Sequence, residues 1–575
     1  MSQRTSAPLM KRTSFKVLVV IETAVIGFIA LGLFGMLIER YETARDTIAE
    51  RTVIARASEV YIAILSATPP TATATNTSTA TRTSTPTKTS TPTTTFTPKP
   101  STTPTLTSAP TLPRDTATPR NTATPRDTST PRNTTAPVDT ALPPTPRPTD
   151  SPSVAWKNIT SCGTIDSSGS YRLLNDVSAN GECISIKASY VILDCFRNAV
   201  RGTNFAGHGI AIRKFGLFNS QTPGYVEVRN CRVSGFRDGI YAEAGDHLVI
   251  RDNETSHNYD DVDPATKFGK FLGMTDGSGI RLNNVTSSQV LNNTTTNQAI
   301  GIDIRYSNGI SVRSNTASQN SAWGINFLRT QNSEAVGNTT ADNVRKCTWG
   351  AGTIGWGCDA GGIVIQDGSN GITVARNQVI GRNGNGVFIK AHALPCGSNN
   401  AILGNTITGV YYNAVELGFC TGNRINDNQI RDGLDGIWLG YAHDTEIRGN
   451  TISGMRNHGI ISGNSYGNTV TGNQIISSNE GLYFFGEEYD RSAFSWLPPG
   501  DYKSHDNCLC GNTLQSNAIA VHLQDSTRNQ VTNNTYVGNA RTFLVQGNSD
   551  GNNLQGYDWR SPAEKLFVAF RDFGR

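Results

Sequence analysis

GIRLNNVTSSQVLNNTTTNQAIGIDIRYSNGISVRSNTASQNSAWGINFL, residues 279–328, states one phrase three times. A glycine opens it, apolar–x–apolar follows (Ile280/Leu282, Ile302/Ile304, Ile325/Phe327), then a polar turn, a second short apolar stretch and an Asn. Gly279, Gly301 and Gly324 are 22 and 23 residues apart, and so are Gly436, Gly459 and Gly481. The same opening recurs as GIAIR (209–213), GIYAE (239–243), GIVIQ (362–366), GVFIK (386–390), AVELG (414–418), GIWLG (436–440), GIISG (459–463), GLYFF (481–485), AVHLQ (520–524) and TFLVQ (542–546). Short strands at a period near 22 are the mark of a solenoid. No single repeat can bury its apolar face, so the coils must stack and share one core. The thirteen openings predict an all-β parallel solenoid of about 13 coils.

Period-two alternation then separates inside from outside. Pairs such as Ile210/Ile212, Ile363/Ile365, Val415/Leu417, Ile437/Leu439 and Leu482/Phe484 must point inward. The second strand of each coil ends at an Asn: Asn230, Asn253, Asn293, Asn315, Asn338, Asn377, Asn405, Asn428, Asn450, Asn473, Asn512 and Asn534. An Asn at one corner of every coil suits a left-handed turn and an amide ladder along the stack.

Residues between the inward pairs form two outward columns. The first reads Tyr241, Arg281, Asp303, Asn326, Val364, Phe388, Glu416, Trp438, Ile461, Tyr483, His522. The second reads Arg213, Glu243, Asn283, Arg305, Leu328, Gln366, Lys390, Gly418, Gly440, Gly463, Phe485, Gln524. Insertions at 259–277, 345–360, 393–398 and 487–503 bracket the same face and would wall it into a groove. Aromatic platforms for sugar rings beside polar groups for hydroxyls and carboxylates suit an extended, acidic polysaccharide. Tyr241, Glu243, Asn326, Gln366, Trp438, Tyr483, Phe485 and His522 are the candidate binding residues. For β-elimination of a uronic-acid polymer, Lys390 or Arg305 would take the proton while Arg281 neutralises the sugar carboxylate. Hydrolysis needs two carboxylates about 5–10 Å apart; Asp303 and Glu416, four coils apart, are separated by about 19 Å. Asp260, Asp261 and Asp263 on the first insertion offer oxygen ligands for Ca²⁺. A bland alternative stands beside each pair. Arg281–Asp303–Arg305 and Lys390–Glu416 also read as surface charge ladders, and the whole as a non-catalytic adhesin or envelope rod.

The rest of the chain carries this body outward. Residues 1–16 are basic, and 17–38 form a run of 22 residues, apolar apart from Glu22, Thr23 and small residues, long enough to span a bilayer as one helix. Arg4, Lys11, Arg12 and Lys16 precede it, which places the N-terminus in the cytoplasm and the remainder outside. A cleaved signal peptide is the other reading of the same segment. Residues 39–66 have helix-forming composition, and 67–152 are a Thr/Pro-rich stalk that cannot bury enough apolar surface to order itself. The β-solenoid follows over 153–560. SPAEKLFVAF (561–570), with a capping box and an early proline, opens a terminal helix over 561–575. Of 50 Lys/Arg and 46 Asp/Glu, 34 and 36 fall in residues 153–575, so the folded part carries a net charge of −2. Attraction of nucleic acid is therefore not expected. All ten cysteines lie beyond residue 160. Equivalent positions on neighbouring coils lie about 4.8 Å apart, within disulfide reach. That pairs Cys162–Cys183, Cys195–Cys231, Cys347–Cys358 and Cys396–Cys420, leaving Cys508 and Cys510 unassigned.

The entry segment CGTIDSSGSYRLLNDVSANGECISIKASYVILDC (162–195), with the repeats after it, resembles the NosD-type (CASH) right-handed parallel β-helix proteins of pectin-lyase-like fold. The resemblance covers about 400 residues and implies a right-handed helix. It departs at Cys195, where the family has glycine after "LD". The family's link to copper reductase maturation has no counterpart, because no His/Cys/Met set has ligand spacing. GHG (207–209) resembles one polygalacturonase motif, but the aspartates that should precede it, Asp260 and Asp261, come later. YDDVDPATK (259–267) resembles the catalytic DPH stretch of mannuronan epimerases, with Ala265 where the histidine should stand.

Overall fold

In a computed structural model the described residues are 155–260, 277–345, 360–390, 396–487 and 503–555. Every named strand pairing among them is parallel, in three sheets that run the length of the stack, with 15, 17 and 14 strands. One coil shows the plan. Ile300–Arg305 lies in the first sheet, Asn308–Arg313 in the second and Thr316–Ser318 in the third. The next coil then opens at Trp323–Leu328, paired in register with Ile300–Arg305.

Two expectations change here. The first sheet holds 15 strands rather than 13, because Gly163–Ile165 and Ile184–Ile186 precede the first glycine-led opening. Each coil also has a third strand, such as Thr316–Ser318, which buries only its middle residue, Ala317. One apolar side chain between polar neighbours gives no alternation to read.

The core is continuous. Ile210, Ile212, Ile302, Ile304, Ile437, Leu439, Leu482 and Phe484 all have 0% exposure and belong to one cluster along the coil axis. The amide ladder forms as expected from Asn253 to Asn534. Asn377 Nδ2 donates to Asn405 Oδ1 (2.9 Å), Asn405 to Asn428 (2.9 Å) and Asn428 to Asn450 (2.9 Å). The left-handed residue, however, precedes the ladder position: Ser314 (φ 55), Arg376 (φ 54) and Asp427 (φ 58) turn the chain so that the next Asn points inward. Asn230 (φ 53) is itself such a turn residue, and Cys231 occupies the ladder position after it. That accounts for Cys195 as well. Cys195 pairs with Cys231 across neighbouring coils, Cα–Cα 4.8 Å, and continues the column in which the later coils place Asn. Cys162–Cys183 and Cys396–Cys420 also pair as expected (Cα–Cα 4.7 and 5.0 Å), and Cys508 pairs with Cys510 (5.5 Å).

Residues 17–38, 39–66, 67–152 and 561–575, the pair Cys347–Cys358, and most of the four insertions lie outside the described residues. Among the described residues no helix is long and apolar enough to cross a membrane.

Candidate functional site

The register places both outward columns in line. Tyr241, Arg281, Asp303 and Asn326 are successive partners in the first sheet, and so are Val364, Phe388, Glu416 and Trp438. In the second column, Gly418, Gly440, Gly463 and Phe485 follow one another. The sheet also has a third column, which simple alternation misses. At each opening glycine the strand bends, so that two consecutive residues face inward. A Cβ at Gly301 would meet the Gly324 carbonyl oxygen at 2.5 Å and Thr295 Oγ1 at 2.6 Å, so only glycine fits there. The residue before the glycine therefore faces outward: His208, Asp238, Ser278 in one stretch, Asp435 beside Asn413, and His458 beside Glu480. The signal was present in the sequence, as the residue immediately before each opening glycine.

Towards the N-terminal end lies a closed ionic network. Asp303 accepts from Arg281 Nε (2.9 Å), Arg305 Nε (2.8 Å) and Asn326 Nδ2 (2.9 Å). Arg281 also reaches Asp238 (3.4 Å), which faces His208 Nδ1 at 3.2 Å. Burial alone would raise the Asp238 carboxyl; Arg281 and His208 outweigh it and bring it down to about 2. His208 stacks on Tyr241 (4.2 Å), and Arg213 lies over that same ring and 3.6 Å from Glu243. Arg281 is 6%, Asn326 0%, Gln366 2% and Lys390 4% exposed. These outward side chains thus lie beneath the molecular surface. Ile300, Trp323, Val364 and Phe388 form an apolar cluster on the same outer side.

The face is more open from Glu416 onward. Lys390 Nζ lies over the rings of Phe388 (5.0 Å) and Trp323 (5.4 Å), and burial holds its ammonium well below the usual lysine range. Glu416, on the following coil, is pushed up to about 7 by burial, with Asn413 and Lys390 opposing and Asp435 adding to the rise. Asn413 Nδ2 donates to Glu416 Oε2 (2.8 Å). Burial, then Glu416 and Asp435, push the Tyr412 hydroxyl up to about 12. His458 Nδ1 meets Asp435 Oδ1 at 2.7 Å, while its Nε2 lies 3.9 Å from Glu480. Glu480 in turn meets His522 Nδ1 at 3.0 Å. Tyr483 stacks between His458 (5.2 Å) and His522 (4.4 Å) and donates to Gln524 (3.0 Å). The glycines of the second column seat the large rings. A Cβ on Gly440 would occupy the six-membered ring of Trp438, and one on Gly463 would touch Phe485. Trp438, Tyr483 and Phe485 are partly exposed along this stretch.

Of the calcium candidates, Asp260 is held by Arg345 and Ser321; Asp261 and Asp263 lie outside the described residues. Among the described residues no group of three or more His, Cys, Asp or Glu side chains could hold a metal ion.

No curated protein matches the sequence. Similar solved structures include the A-module of Azotobacter vinelandii mannuronan C-5 epimerase AlgE4 (15% identity, covering 67% of this chain and 90% of that one, TM-score 0.40). The pre-mature bacteriophage phi29 gene product 12 is another (12%, 69% and 53%, TM-score 0.41). DFA-IIIase from Arthrobacter chlorophenolicus A6 with DFA-III is a third (10%, 63% and 84%, TM-score 0.33). The right handed beta helix region family matches residues 208–394 and 393–557. With more than half of its length covered by that match and three parallel sheets wound on one core, the protein belongs to the right handed beta helix region family.

Proposed function

We propose that the outer face of the first sheet, from Glu416 to His522, binds an acidic polysaccharide lengthwise and cleaves it by β-elimination. The observation that carries this is Glu416: a carboxyl that keeps its proton up to about 7, on the coil next to the partly exposed ring of Trp438. A carboxyl with that affinity is matched to proton donation near neutral pH. Its counterpart is His458, two coils along and about 10 Å away at the backbone by strand spacing, which leaves room for a sugar unit between them. Asp435 accepts from His458 Nδ1, fixing the tautomer and leaving the Nε2 lone pair as base. Nε2 takes the proton from the carbon beside the uronate carboxylate, and that C–H electron pair becomes the new C=C bond. The C–O bond to the neighbouring sugar breaks, and Glu416 protonates the departing oxygen. Trp438, Tyr483 and Phe485 supply platforms for the sugar rings. The membrane segment and stalk read from the sequence would display this face outside the cell, and the repeat itself we read as NosD-type.

The test is to incubate the full chain with a panel of polyuronides and follow the ultraviolet absorbance of unsaturated products. Glu416→Gln and His458→Ala should each lower turnover by roughly 10²–10⁴-fold while polymer binding persists. Absence of unsaturated product on every substrate, with no polymer binding, would remove the proposal. The burial of Arg281, Asn326, Gln366 and Lys390 favours a second reading, a non-catalytic surface rod. Binding without turnover would select it.

A further inference from the structure

Beside the open stretch, at the corner where the third sheet turns into the first, lies a cleft of about 470 Å³. It is lined by Arg382, Gly409, Tyr411, Asp432, Gly454 and Arg456, among others. The lining leads onto the first sheet, at the proposed face and on the coil just before it. Tyr411 precedes Asn413–Gly418, the strand that carries Glu416. Arg456 precedes His458–Gly463, and Arg382 precedes Asn385–Lys390. Along the stack, the coils that supply Arg382 and Arg456 are three steps apart, about 14 Å by strand spacing.

Among the described residues, the two cations of the cleft are held without a carboxylate partner. Elsewhere many arginines are tied to carboxylates, as Arg213 is to Glu182, Arg229 to Asp194 and Arg528 to Asp506. Arg382 and Arg456 are exposed, and among the described residues neither forms an ion pair. The Arg382 guanidinium lies over the Tyr411 ring (5.7 Å), and Arg456 Nη2 donates to the Tyr411 backbone carbonyl oxygen (2.9 Å). The ring and that carbonyl hold both forks at one concavity with most of their five N–H donors unspent. Tyr411 is 38% exposed and offers a flat apolar surface between them. Asp432 is the one acidic residue of the lining, so the cleft is net cationic on a body whose overall charge is −2.

We infer that Arg382, Tyr411 and Arg456 form a recognition site for an anionic sugar, with the ring on Tyr411 and its carboxylate or sulfate oxygens on the two guanidiniums. The inference rests on the reading of the face given above and deepens it. Selection for acid groups is made at this corner cleft, where a polymer approaches Glu416, and not by the buried Arg281–Asp303–Arg305 network. Bulk electrostatics cannot supply that selection, because the folded body has no cationic excess.

Phenylglyoxal modification of arginine, mapped by mass spectrometry on the full chain, tests the cleft without any polymer. Glucuronate or glucose 6-sulfate should protect Arg382 and Arg456, and glucose should not. Protection by glucuronate alone assigns a uronate, and protection by the sulfate alone assigns a sulfate ester. The double variant Arg382→Ala/Arg456→Ala, altered only at exposed positions, should keep its melting temperature. It should lose about tenfold or more in affinity for the acidic polymer and none for a neutral one. Failure of both anions to protect, with variant and parent binding alike, overturns the inference. If the monosaccharide acids protect the cleft while no polymer is bound or cleaved, the reading of the face falls and the cleft stands. Polyuronide cleavage by a chain whose two arginines neither anion protects removes the cleft and leaves the face standing.

Discussion

At the scale of the residue, the two ends of the outer face treat a carboxyl in opposite ways. Asp238 is fully buried but faces Arg281 and His208, and its carboxyl falls to about 2 against an ordinary 3.8. It contributes stability that is present above pH ~3.8 and lost as pH falls through ~2. Glu416 has a raised value, about 7 against 4.5. Its folded form binds the proton more tightly than the unfolded chain, so stability declines as pH rises through the window between those values. Lys390 works with the other sign: burial makes its folded form bind a proton less tightly than the unfolded chain does, so its contribution to stability rises with pH below the usual lysine range. Comparing Glu416→Gln with the parent isolates the carboxyl. By denaturant titration the variant should match the parent near pH ~4 and be the more stable of the two near pH ~8. An equal difference at both values would mean that Glu416 titrates as an ordinary carboxylate. The Arg281–Asp303 and Lys390–Glu416 neighbours were legible from the sequence because a fixed period converts spacing into adjacency. Asp238, Asp435 and His458 did not follow from simple alternation, because the glycine bend breaks it just after them. Their pairing with other outward groups emerges only once that bend is in place.

At the scale of the element, the corners define the coil more tightly than the strands do. A strand such as Thr406–Thr408 buries one side chain, whereas Asn405 at its corner meets four partners. Its Oδ1 accepts from the backbone N–H (2.9 Å) and Nδ2 (2.9 Å) of Asn377; its Nδ2 donates to the Val374 carbonyl (2.9 Å) and to Asn428 Oδ1 (2.9 Å). Removing it strands buried groups on both neighbouring coils, and an unsatisfied buried donor costs about 1–3 kcal/mol. Asn405→Ala should therefore destabilise by about 3 kcal/mol or more. Asn534→Ala, at the part-exposed end of the same ladder, should cost about 1 kcal/mol because water replaces its partners. Equal costs would argue that the ladder is decoration on the turns. The sequence showed this ladder through its regular Asn. The left-handed residue one place earlier carries no such signal, because Asp, Asn, Ser, Arg and Gly share that role and present no common letter.

At the scale of the whole molecule, a stack in which each coil touches only its neighbours behaves as a one-dimensional array. Loss of one coil then spreads inward from an end, instead of all coils melting at once. The disulfides are placed where that matters. Cys162–Cys183 and Cys195–Cys231 bind the first coils, before the glycine-led repeat and the Asn ladder are fully established. They close loops of 21 and 36 residues, which by chain entropy stabilises by roughly 3–4 kcal/mol each. By contrast the coils at Asn293, Asn315 and Asn338 carry amide–amide bonds where the first coils carry a disulfide. Reduction should therefore expose residues 162–231 to rapid amide exchange while the coils around Asn293–Asn338 keep their protection. Hydrogen exchange read by mass spectrometry, with and without reductant, measures it region by region. If protection were lost over all coils together, the array would be one cooperative block, and the opening of the N-terminal coils could not be separated from the face that carries Glu416 and His458.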